Sequence, residues 1–443
     1  MAAVSKFYNR FKIYIHNTSW LMGEKIITMG VGFLVTVLVA RYLGPEQYGI
    51  LAYALSLTAL FATAGHMGLG GLVVREIVKK PEARPETLGT SMGLKFFGFA
   101  LGFILLIAYA LLFEEQQGLE FWALVIVGTS LLFRPFTVID FWFQSQVQSK
   151  YTAISNLTSL LLTAGIKVLL VVLGANLLLF AFAPLVQAVL AGIFFLAFFY
   201  AKANLPLMSW RFSLERAKEL LSQGWVILLG ALFATVYLKI DQVMLRWFSG
   251  AKEVGVYAVA ASLSEAWYFV PTAIVASLFP RLISLRDTDP LRYRERLQQV
   301  FELLFVIALA VAIFMTFMAS PLIDLFFGEK YTASAPILAI HIWAALFIFM
   351  RAAFSKWILI EDALVFSLIT QGFGALANVV LNYILMPHYA GYGAAIATLL
   401  SYAMASYFSL FFYKKSRPVF WMMTKAMGAP IRYPLNYLIG KMT

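Results

Sequence analysis

Long apolar runs separated by short polar breaks make up almost the whole chain. Segments such as Phe99 to Phe113 show no alternation of polar and apolar residues, whereas a transmembrane β-barrel strand alternates over about 10 residues. A helix crosses a bilayer core with about 20 mostly apolar residues. Because backbone amides in lipid must be hydrogen-bonded within their own segment, these runs predict transmembrane helices.

The runs predict an all-α polytopic membrane protein with about twelve transmembrane helices. Residues 1–16 combine basic and aromatic side chains and predict an interfacial segment that leads into the first span. The spans are placed near residues 17–41, 47–70, 90–113, 121–144, 152–173, 177–200, 222–246, 254–280, 296–319, 333–355, 362–386 and 391–413.

Composition supports this fold class. Apolar residues make up 62% of the chain and charged residues 13%, whereas a soluble domain is about half apolar and a quarter charged. There is no cysteine, which excludes disulfide and thiolate chemistry in this chain. The net charge of +12 fits basic loops on one side of a membrane better than nucleic-acid binding.

The distribution of basic residues predicts the orientation. With the N-terminus inside, the inner segments hold 24 of the 34 Lys and Arg residues, and 6 more lie inside spans. The outer segments hold four: Arg41, Arg246, Lys252 and Lys330. Basic loops stay in the cytoplasm, so an even number of spans with both termini cytoplasmic follows.

The two halves of the chain resemble each other. Residues 41–56 are similar to residues 246–262, and each segment joins the first and second span of a six-span half. Spans five and eleven share one spacing of positions: Asn156, Ser159, Thr163 and Lys167, and then Gln371, Gly374, Asn378 and Asn382. Both halves begin on the same side, so the repeat is parallel and predicts two pseudo-symmetric six-helix lobes around a central cavity.

This repeat predicts the domain organisation. The predicted parts are an interfacial segment 1–16, an N-lobe 17–200, a cytoplasmic linker 201–221, a C-lobe 222–413 and a basic cytoplasmic or interfacial tail 414–443.

Ten charged residues lie at bilayer depth within the predicted spans, where a charge is costly and usually functional or paired. They are Lys25, Lys95, Arg134, Lys167, Lys239, Arg351, Glu24, Asp140, Asp241 and Glu265. Lys95 and Arg351 lie near the inner surface, which favours ion pairing or snorkelling.

Arg134 and Lys167 lie nearer mid-depth on polar helical faces. Arg134 shares its face with Ser130, Thr137 and Gln144, and Lys167 shares its face with Asn156, Ser159 and Thr163. Such faces turn toward a protein interior or a wet cavity, so a cavity position is favoured over a role in helix packing.

The second half carries two carboxylates at depth. Lys239 and Asp241 are two residues apart and project on nearly opposite sides of their helix, so they do not simply neutralise each other. Glu265 shares a face with Ser262, Tyr268 and Thr272. A coupling-ion site and a structural pair with a neighbouring lysine both remain open for this carboxylate.

Signals of catalysis are weak. The four histidines are scattered without metal-ligand spacing, and the glycine-rich residues 65–71 end a span rather than follow a strand. The longest outer loop, residues 320–332, leaves little room for a catalytic domain. We therefore expect no enzymatic activity, no cofactor and no metal.

Residues 41–49, RYLGPEQYG, are similar to the signature between the first two spans of Wzx-type polysaccharide and O-antigen repeat-unit flippases. These belong to the multidrug/oligosaccharidyl-lipid/polysaccharide exporter superfamily. The resemblance continues over most of the chain, at residues 239–245, 253–257, 265–271, 327–331, 378–382 and 391–396.

This resemblance implies a flippase that moves polyprenyl-diphosphate-linked oligosaccharide from the inner to the outer leaflet of a bacterial cytoplasmic membrane by alternating access. Membrane lipids would surround it, and a proton or sodium ion would drive it. The predicted substrate-binding residues are Arg134, Lys167, Lys25 and Lys239, and the predicted ion-coupling residues are Asp241 and Glu265.

Three alternatives remain open. A drug or metabolite exporter of the same superfamily is expected to bind cations in a more acidic cavity. A lipid II flippase typically has fourteen spans, whereas this chain has room for about twelve. A membrane glycan polymerase or ligase needs a sizeable outer loop with catalytic groups, which this sequence lacks.

The orientation is testable without background labelling, because the chain has no cysteine. A cysteine introduced at Ser213 should be shielded from an impermeant thiol reagent applied outside the cell, and one at Ser249 should be labelled. Labelling at Ser213 together with protection at Ser249 would exclude the predicted topology.

Overall fold

The computed structural model describes residues 2–432, with side chains described for residue 17 and residues 19–432. The side chains of the predicted interfacial segment 1–16 therefore lie outside the described residues. So do residues 433–443 of the predicted basic tail.

Helices make up the described chain, and residues 2–432 contain no strand. The α-helices are α1 Ala2–His66, α2 Gly70–Lys79, α3 Arg84–Phe113, α4 Leu119–Thr129, α5 Val138–Ser145, α6 Ser149–Val172, α7 Leu177–Ala181, α8 Ala183–Lys202, α9 Leu214–Glu265, α10 Phe269–Thr288, α11 Pro290–Phe326, α12 Ser334–His341, α13 Ala345–Ile360, α14 Leu364–Ala403, α15 Ser409–Phe412 and α16 Arg417–Met427. Short 3₁₀ segments include Ser130–Thr137, Ala266–Tyr268 and Ile342–Ala344, and Met404–Phe408 is a π-helix.

Nine helical stretches in this described part are long and apolar enough to cross a bilayer. Three of them are long enough for two crossings, because 49 to 75 residues at about 1.5 Å each exceed twice a core of about 30 Å. The long helix in each of the three is broken by one residue with non-helical dihedral angles: Gly44 in α1, Gly250 in α9 and Ala390 in α14. The described chain thus contains twelve spans, which confirms the predicted fold class.

The break inside α1 follows from its local sequence. Gly44 has φ 73° and ψ 171°, a conformation that glycine adopts without steric cost and that commonly ends a helix. Pro45 comes next, and proline suits the first position of a helix because the missing N–H has no partner there. One span therefore ends at Gly44, and the next begins at Pro45.

The break inside α9 supports the predicted repeat. Aligning Gly49 with Gly255 places Gly44 opposite Gly250, and Gly250 has φ 85° and ψ 173°. The two halves thus use the same backbone conformation at the same position of the repeat.

Two compact units make up the chain, one up to residue 235 and one from residue 236 onward. The first unit holds α1 to α8 together with the start of α9. Its core includes Leu72, Val138, Phe195 and Leu220, each nearly or fully buried. The lobe boundaries predicted from the sequence stay predictions.

The predicted linker, residues 201–221, packs on the first unit. The Ser213 amide donates to Thr90 Oγ1 at 3.0 Å. Arg216 forms an ion pair with Glu76 at 3.0 Å between Nη2 and Oε2, and both side chains are buried. A buried pair that lost one partner would leave an uncompensated charge, so this contact fixes the start of α9.

The second unit holds the rest of α9 and α10 to α16. The described part of the predicted tail includes α16, which packs on α11 through a hydrogen bond from Gln298 Nε2 to the Met422 carbonyl at 3.2 Å. Arg432 adds an ion pair with the buried Glu302 at 3.0 Å.

A close backbone contact in the first unit gives a stability prediction. Gly68 has φ +66°, and a Cβ built there would lie 2.1 Å from the Gly224 carbonyl oxygen. Gly68→Ala should cost about 1–2 kcal/mol through backbone conformation alone, and the clash adds to this. Thermal unfolding of the purified protein in detergent would show a lower midpoint than for the wild type.

Gly71→Ala is the matched control, because a Cβ built at this helical position meets no atom within 4 Å. Alanine also favours the helix more than glycine does. The same unfolding midpoint for both variants would contradict the prediction.

Candidate ion and substrate sites

A buried carboxylate lies inside the second unit. Asp241, in the second part of α9, is 2% exposed. It accepts hydrogen bonds from Tyr257 Oη at 2.7 Å, from Asn382 Nδ2 at 2.6 Å and from Thr398 Oγ1 at 2.5 Å. These donors belong to spans eight, eleven and twelve, so one carboxylate connects four spans.

All three donors are neutral. Hydrogen bonds from neutral groups replace part of the hydration that burial removes, but they leave the net charge uncompensated. A proton or a monovalent cation on Asp241 would compensate it. Binding of a cation at Asp241 would therefore change the stability of this hydrogen-bonded arrangement.

The hydrogen-bond network extends along span eleven. Asn382 Nδ2 also lies 3.2 Å from Asn378 Oδ1, and Asn378 in turn donates to Ser401 Oγ at 3.4 Å. The carbonyl oxygen Oδ1 of Asn382 is buried and has no hydrogen-bond partner in the described part of the chain. Hard cations accept amide oxygens as ligands. Asn382, which donates to Asp241, therefore offers a second oxygen that could bind a cation.

Lys239 and Glu265 form a separate pair. Their Nζ and Oε2 atoms are 3.5 Å apart, and the side chains are 30% and 29% exposed. Lys239 pairs with Glu265 and not with Asp241, in agreement with the expectation that Lys239 and Asp241 project apart. Of the two possibilities left open for Glu265, the structural pair with a lysine is present here. Roles for both residues in transport stay predictions.

The sequence prediction missed Tyr257 and Thr398 as partners of Asp241. Tyr257 lies within the recognised motif at residues 253–257, and Asn382 lies on the polar pattern of span eleven. The sequence thus singled out both residues, but it did not predict that either one contacts Asp241. Thr398 is 157 positions from Asp241, and no spacing rule reaches across that separation.

In the first unit, Arg134 lies in the 3₁₀ segment Ser130–Thr137. Pro135 has no N–H and hinders the α-helical bond pattern, which accounts for the tighter helix. A 3₁₀ helix has three residues per turn, so the α-helical spacing that grouped Arg134 with Ser130 and Gln144 does not hold across this segment. Thr137 remains its neighbour and donates to the Arg134 carbonyl at 2.7 Å.

Lys167 lies at the far end of the predicted polar face of α6. At the near end, Asn156 Nδ2 donates to Glu24 Oε1 on α1 at 2.8 Å. Ser159 and Thr163 between them are 0% and 1% exposed. This face is therefore directed at the protein interior over most of its length.

Arg134 and Lys167 are both partly buried. Within residues 19–432, neither side chain forms a hydrogen bond or an ion pair. Lys25, the remaining predicted substrate-binding residue of this unit, is exposed.

Other charged residues of the first unit are held by neighbouring side chains. Lys95 is 3% exposed, donates to Thr137 Oγ1 at 2.6 Å and lies 4.7 Å from the centre of the Phe141 ring. Asp140 accepts from Thr152 at 2.6 Å and from Gln144 at 2.8 Å. Lys95 is therefore held by a hydroxyl and an aromatic ring rather than by the ion pair or the snorkelling position that its place in the sequence favoured. In the described residues, no three His, Asp or Glu side chains group as metal ligands.

Family comparisons agree with this architecture. Residues 14–286 match the family described as polysaccharide biosynthesis protein, and residues 226–384 match the MatE family. A Haloferax volcanii protein named flippase AglR is 24% identical over 392 residues, which are 87% of this chain and 80% of that protein. A Shigella flexneri protein named O-antigen transporter is 23% identical over 340 residues, covering 72% and 77%.

Solved structures share the fold. The lipid II flippase MurJ in an inward closed conformation has a TM-score of 0.71 at 15% identity, over 94% of this chain and 92% of that one. An inward-facing multidrug resistance MATE family transporter of the MOP superfamily has a TM-score of 0.62 at 16% identity, over 90% and 96%. At these identities the likeness concerns the fold alone.

Proposed function

This chain belongs to the polysaccharide biosynthesis protein family, and from that premise we propose that it flips polyprenyl-diphosphate-linked oligosaccharide across a bacterial cytoplasmic membrane. It is a multi-pass membrane transporter of the multidrug/oligosaccharidyl-lipid/polysaccharide exporter superfamily, as its resemblance to Wzx-type flippases predicted. The proposed movement is from the inner to the outer leaflet by alternating access.

The observation that carries the substrate assignment is the presence of two partly buried cations, Arg134 and Lys167, without a partner among the described residues. A diphosphate that crosses a membrane loses hydration, at a cost of several kcal/mol per uncompensated charge. Arginine binds phosphate oxygens through two parallel hydrogen bonds, and lysine provides a compact charge. Both residues therefore suit an anionic substrate.

Ion coupling is proposed at Asp241. An incoming cation would compensate the carboxylate, and a proton would convert one acceptor oxygen into a donor. Either event changes the hydrogen bonds from Tyr257, Asn382 and Thr398, and so the relative stability of different arrangements of their four spans. A cation that binds these arrangements unequally shifts the equilibrium between them.

A drug or metabolite exporter is the second candidate function, and the match of residues 226–384 to the MatE family favours it. Such an exporter is expected to bind cationic compounds. Arg134 and Lys167 would repel a cation, which favours the oligosaccharide carrier.

Deletion of the gene tests the function directly. We expect one lipid-linked glycan to accumulate at the inner face of the membrane, and the wild-type gene to remove it. An unchanged pool of lipid-linked glycans, together with increased sensitivity to a cationic drug, would replace the proposed function with the second candidate.

Arg134→Ala and Lys167→Ala test the substrate contact. Loss of one charge-assisted hydrogen bond costs about 1.5–3 kcal/mol, so each variant should flip the lipid-linked glycan roughly tenfold more slowly or worse. Arg134→Lys should keep part of the activity because it keeps the charge, and Arg134→Glu should be worse than alanine. Complementation of the deletion strain, with membrane abundance measured in parallel, gives the rates.

Lys218→Ala is the matched control, because Lys218 is an exposed lysine of the linker region. If Arg134→Ala and Lys167→Ala accumulate in the membrane and transport at the wild-type rate, both residues contribute to helix packing and do not bind the substrate. Failure of these variants to accumulate in the membrane would instead indicate a structural role.

Asp241→Asn tests the coupling site. The variant keeps the shape of the side chain but removes the charge, so transport should lose its dependence on an imposed proton or sodium gradient. Flipping in proteoliposomes under each gradient measures this. Asp324→Asn, at an exposed position of α11, should behave like the wild type. A gradient response by Asp241→Asn equal to that of the wild type would exclude Asp241 as the coupling residue.

A further inference from the structure

A cleft of about 210 Å³ lies between the end of α10 and the start of α11. Helix α10 lines it with Leu278, Leu282 and Leu285, of which Leu282 is 3% exposed. Helix α11 contributes Val300 and Leu303. The floor of the cleft is therefore apolar.

Two arginines flank this floor. Arg281 lies on α10 and Arg296 on α11, and both line the cleft. On each helix the lining positions follow the spacing i, i+3, i+4 and i+7, at residues 278, 281, 282 and 285 and at residues 296, 299, 300 and 303. This spacing defines one face of an α-helix, so each arginine shares a face with the apolar residues of its helix.

The arginines lie at the same level. Helices α10 and α11 are joined through Asp289 alone. Arg281 comes eight residues before this turn and Arg296 seven residues after it, so each is about 11 Å along its helix from the turn. The two arginines therefore line the cleft at similar distances from the turn, one on each helix.

No acidic side chain neutralises Arg281 or Arg296 within the described residues. Both arginines are exposed. Within the described residues, Arg281 forms no hydrogen bond or ion pair, and Arg296 donates to the neutral Gln299 at 2.8 Å. The residues that line the cleft include no acid. By contrast, Arg286 lies outside the cleft and pairs with Glu361 at 3.3 Å.

We propose that this cleft binds one anionic glycerophospholipid, with its phosphate between Arg281 and Arg296 and its acyl chains along the leucine floor. The turn at Asp289 belongs to the segment that the charge distribution places at the cytoplasmic surface, where the leaflet is rich in anionic lipid. Guanidinium groups bind phosphate oxygens in pairs. The apolar floor favours a lipid over a free phosphate, and the absence of a lining acid favours an anionic over a zwitterionic headgroup.

Binding would hold the ends of spans eight and nine together. Span eight carries Tyr257, which donates to Asp241, so the lipid would stabilise a helix that takes part in the buried network. A ligand that binds only the folded state raises the unfolding temperature in a concentration-dependent way. Lipid binding at this cleft does not depend on which substrate is transported.

The test uses the full-length protein in neutral detergent, titrated with phosphatidylglycerol or with phosphatidylcholine. We expect phosphatidylglycerol to raise the unfolding midpoint by several degrees more than phosphatidylcholine does, and native mass spectrometry to detect one tightly bound copy. The variant R281Q/R296Q should bind it about tenfold more weakly or worse. R281K/R296K should retain part of the affinity because it keeps both charges.

The matched control is R211Q/R292Q, which removes two exposed arginines that do not line the cleft. It should bind phosphatidylglycerol like the wild type. Equal losses in both double variants would reduce the effect to general surface charge and overturn the proposal. Equal stabilisation by phosphatidylcholine or by inorganic phosphate would also overturn it, as would displacement of the lipid by a prenyl diphosphate at a lower concentration.

Discussion

Lipid offers no hydrogen-bond partner to a backbone amide, and this constraint determines the architecture of the chain. Helices run as long as the bilayer requires, and each departure from the α-helix inside a span needs another partner for the freed groups. The π-helix Met404–Phe408 receives such contacts from side chains. Its Ala405 carbonyl accepts from Ser409 Oγ at 2.8 Å and from Arg351 Nη1 at 3.1 Å. Arg351 thus contacts a hydroxyl and a backbone carbonyl within its own unit, and the ion pairing or snorkelling that its position in the sequence favoured stays a prediction.

The same constraint sorts the charged residues of the spans by the partners they have. Lys239 and Glu265 neutralise each other, and Lys95 combines a hydroxyl with an aromatic ring. Asp241 has three neutral donors, which satisfy its oxygens but not its charge. Arg134 and Lys167 have no partner among the residues described. Of these groups, Lys239 and Glu265 compensate each other's charge. Under the proposed function, the uncompensated charges of Asp241, Arg134 and Lys167 are where an ion or an anionic substrate would gain free energy on binding.

Much of the fold was predictable because it depends on local sequence. Twelve apolar runs gave twelve spans, and the similarity of residues 41–56 to residues 246–262 located two glycines with matching dihedral angles. The candidate sites depend on contacts between distant spans, so their partners were not predictable. Tyr257 and Thr398 reach Asp241 through tertiary packing. At Arg134, a local proline changed the helix type and with it the face inferred from α-helical spacing.

The internal repeat places different side chains at equivalent positions of the two halves. In the shared spacing of spans five and eleven, Lys167 occupies the position that Asn382 occupies in the second half. In the first unit this position holds a cation without a partner among the described residues. In the second unit it holds an amide that donates to a buried carboxylate at 2.6 Å. Equivalent positions on equivalent helices therefore lie at charges of opposite sign. The lysine would be compensated by an anion, and the carboxylate would be compensated by a cation. The proposed transport of an anionic lipid-linked sugar in response to a cation needs both charges, and divergence of one repeated helix face would provide them without a change of fold.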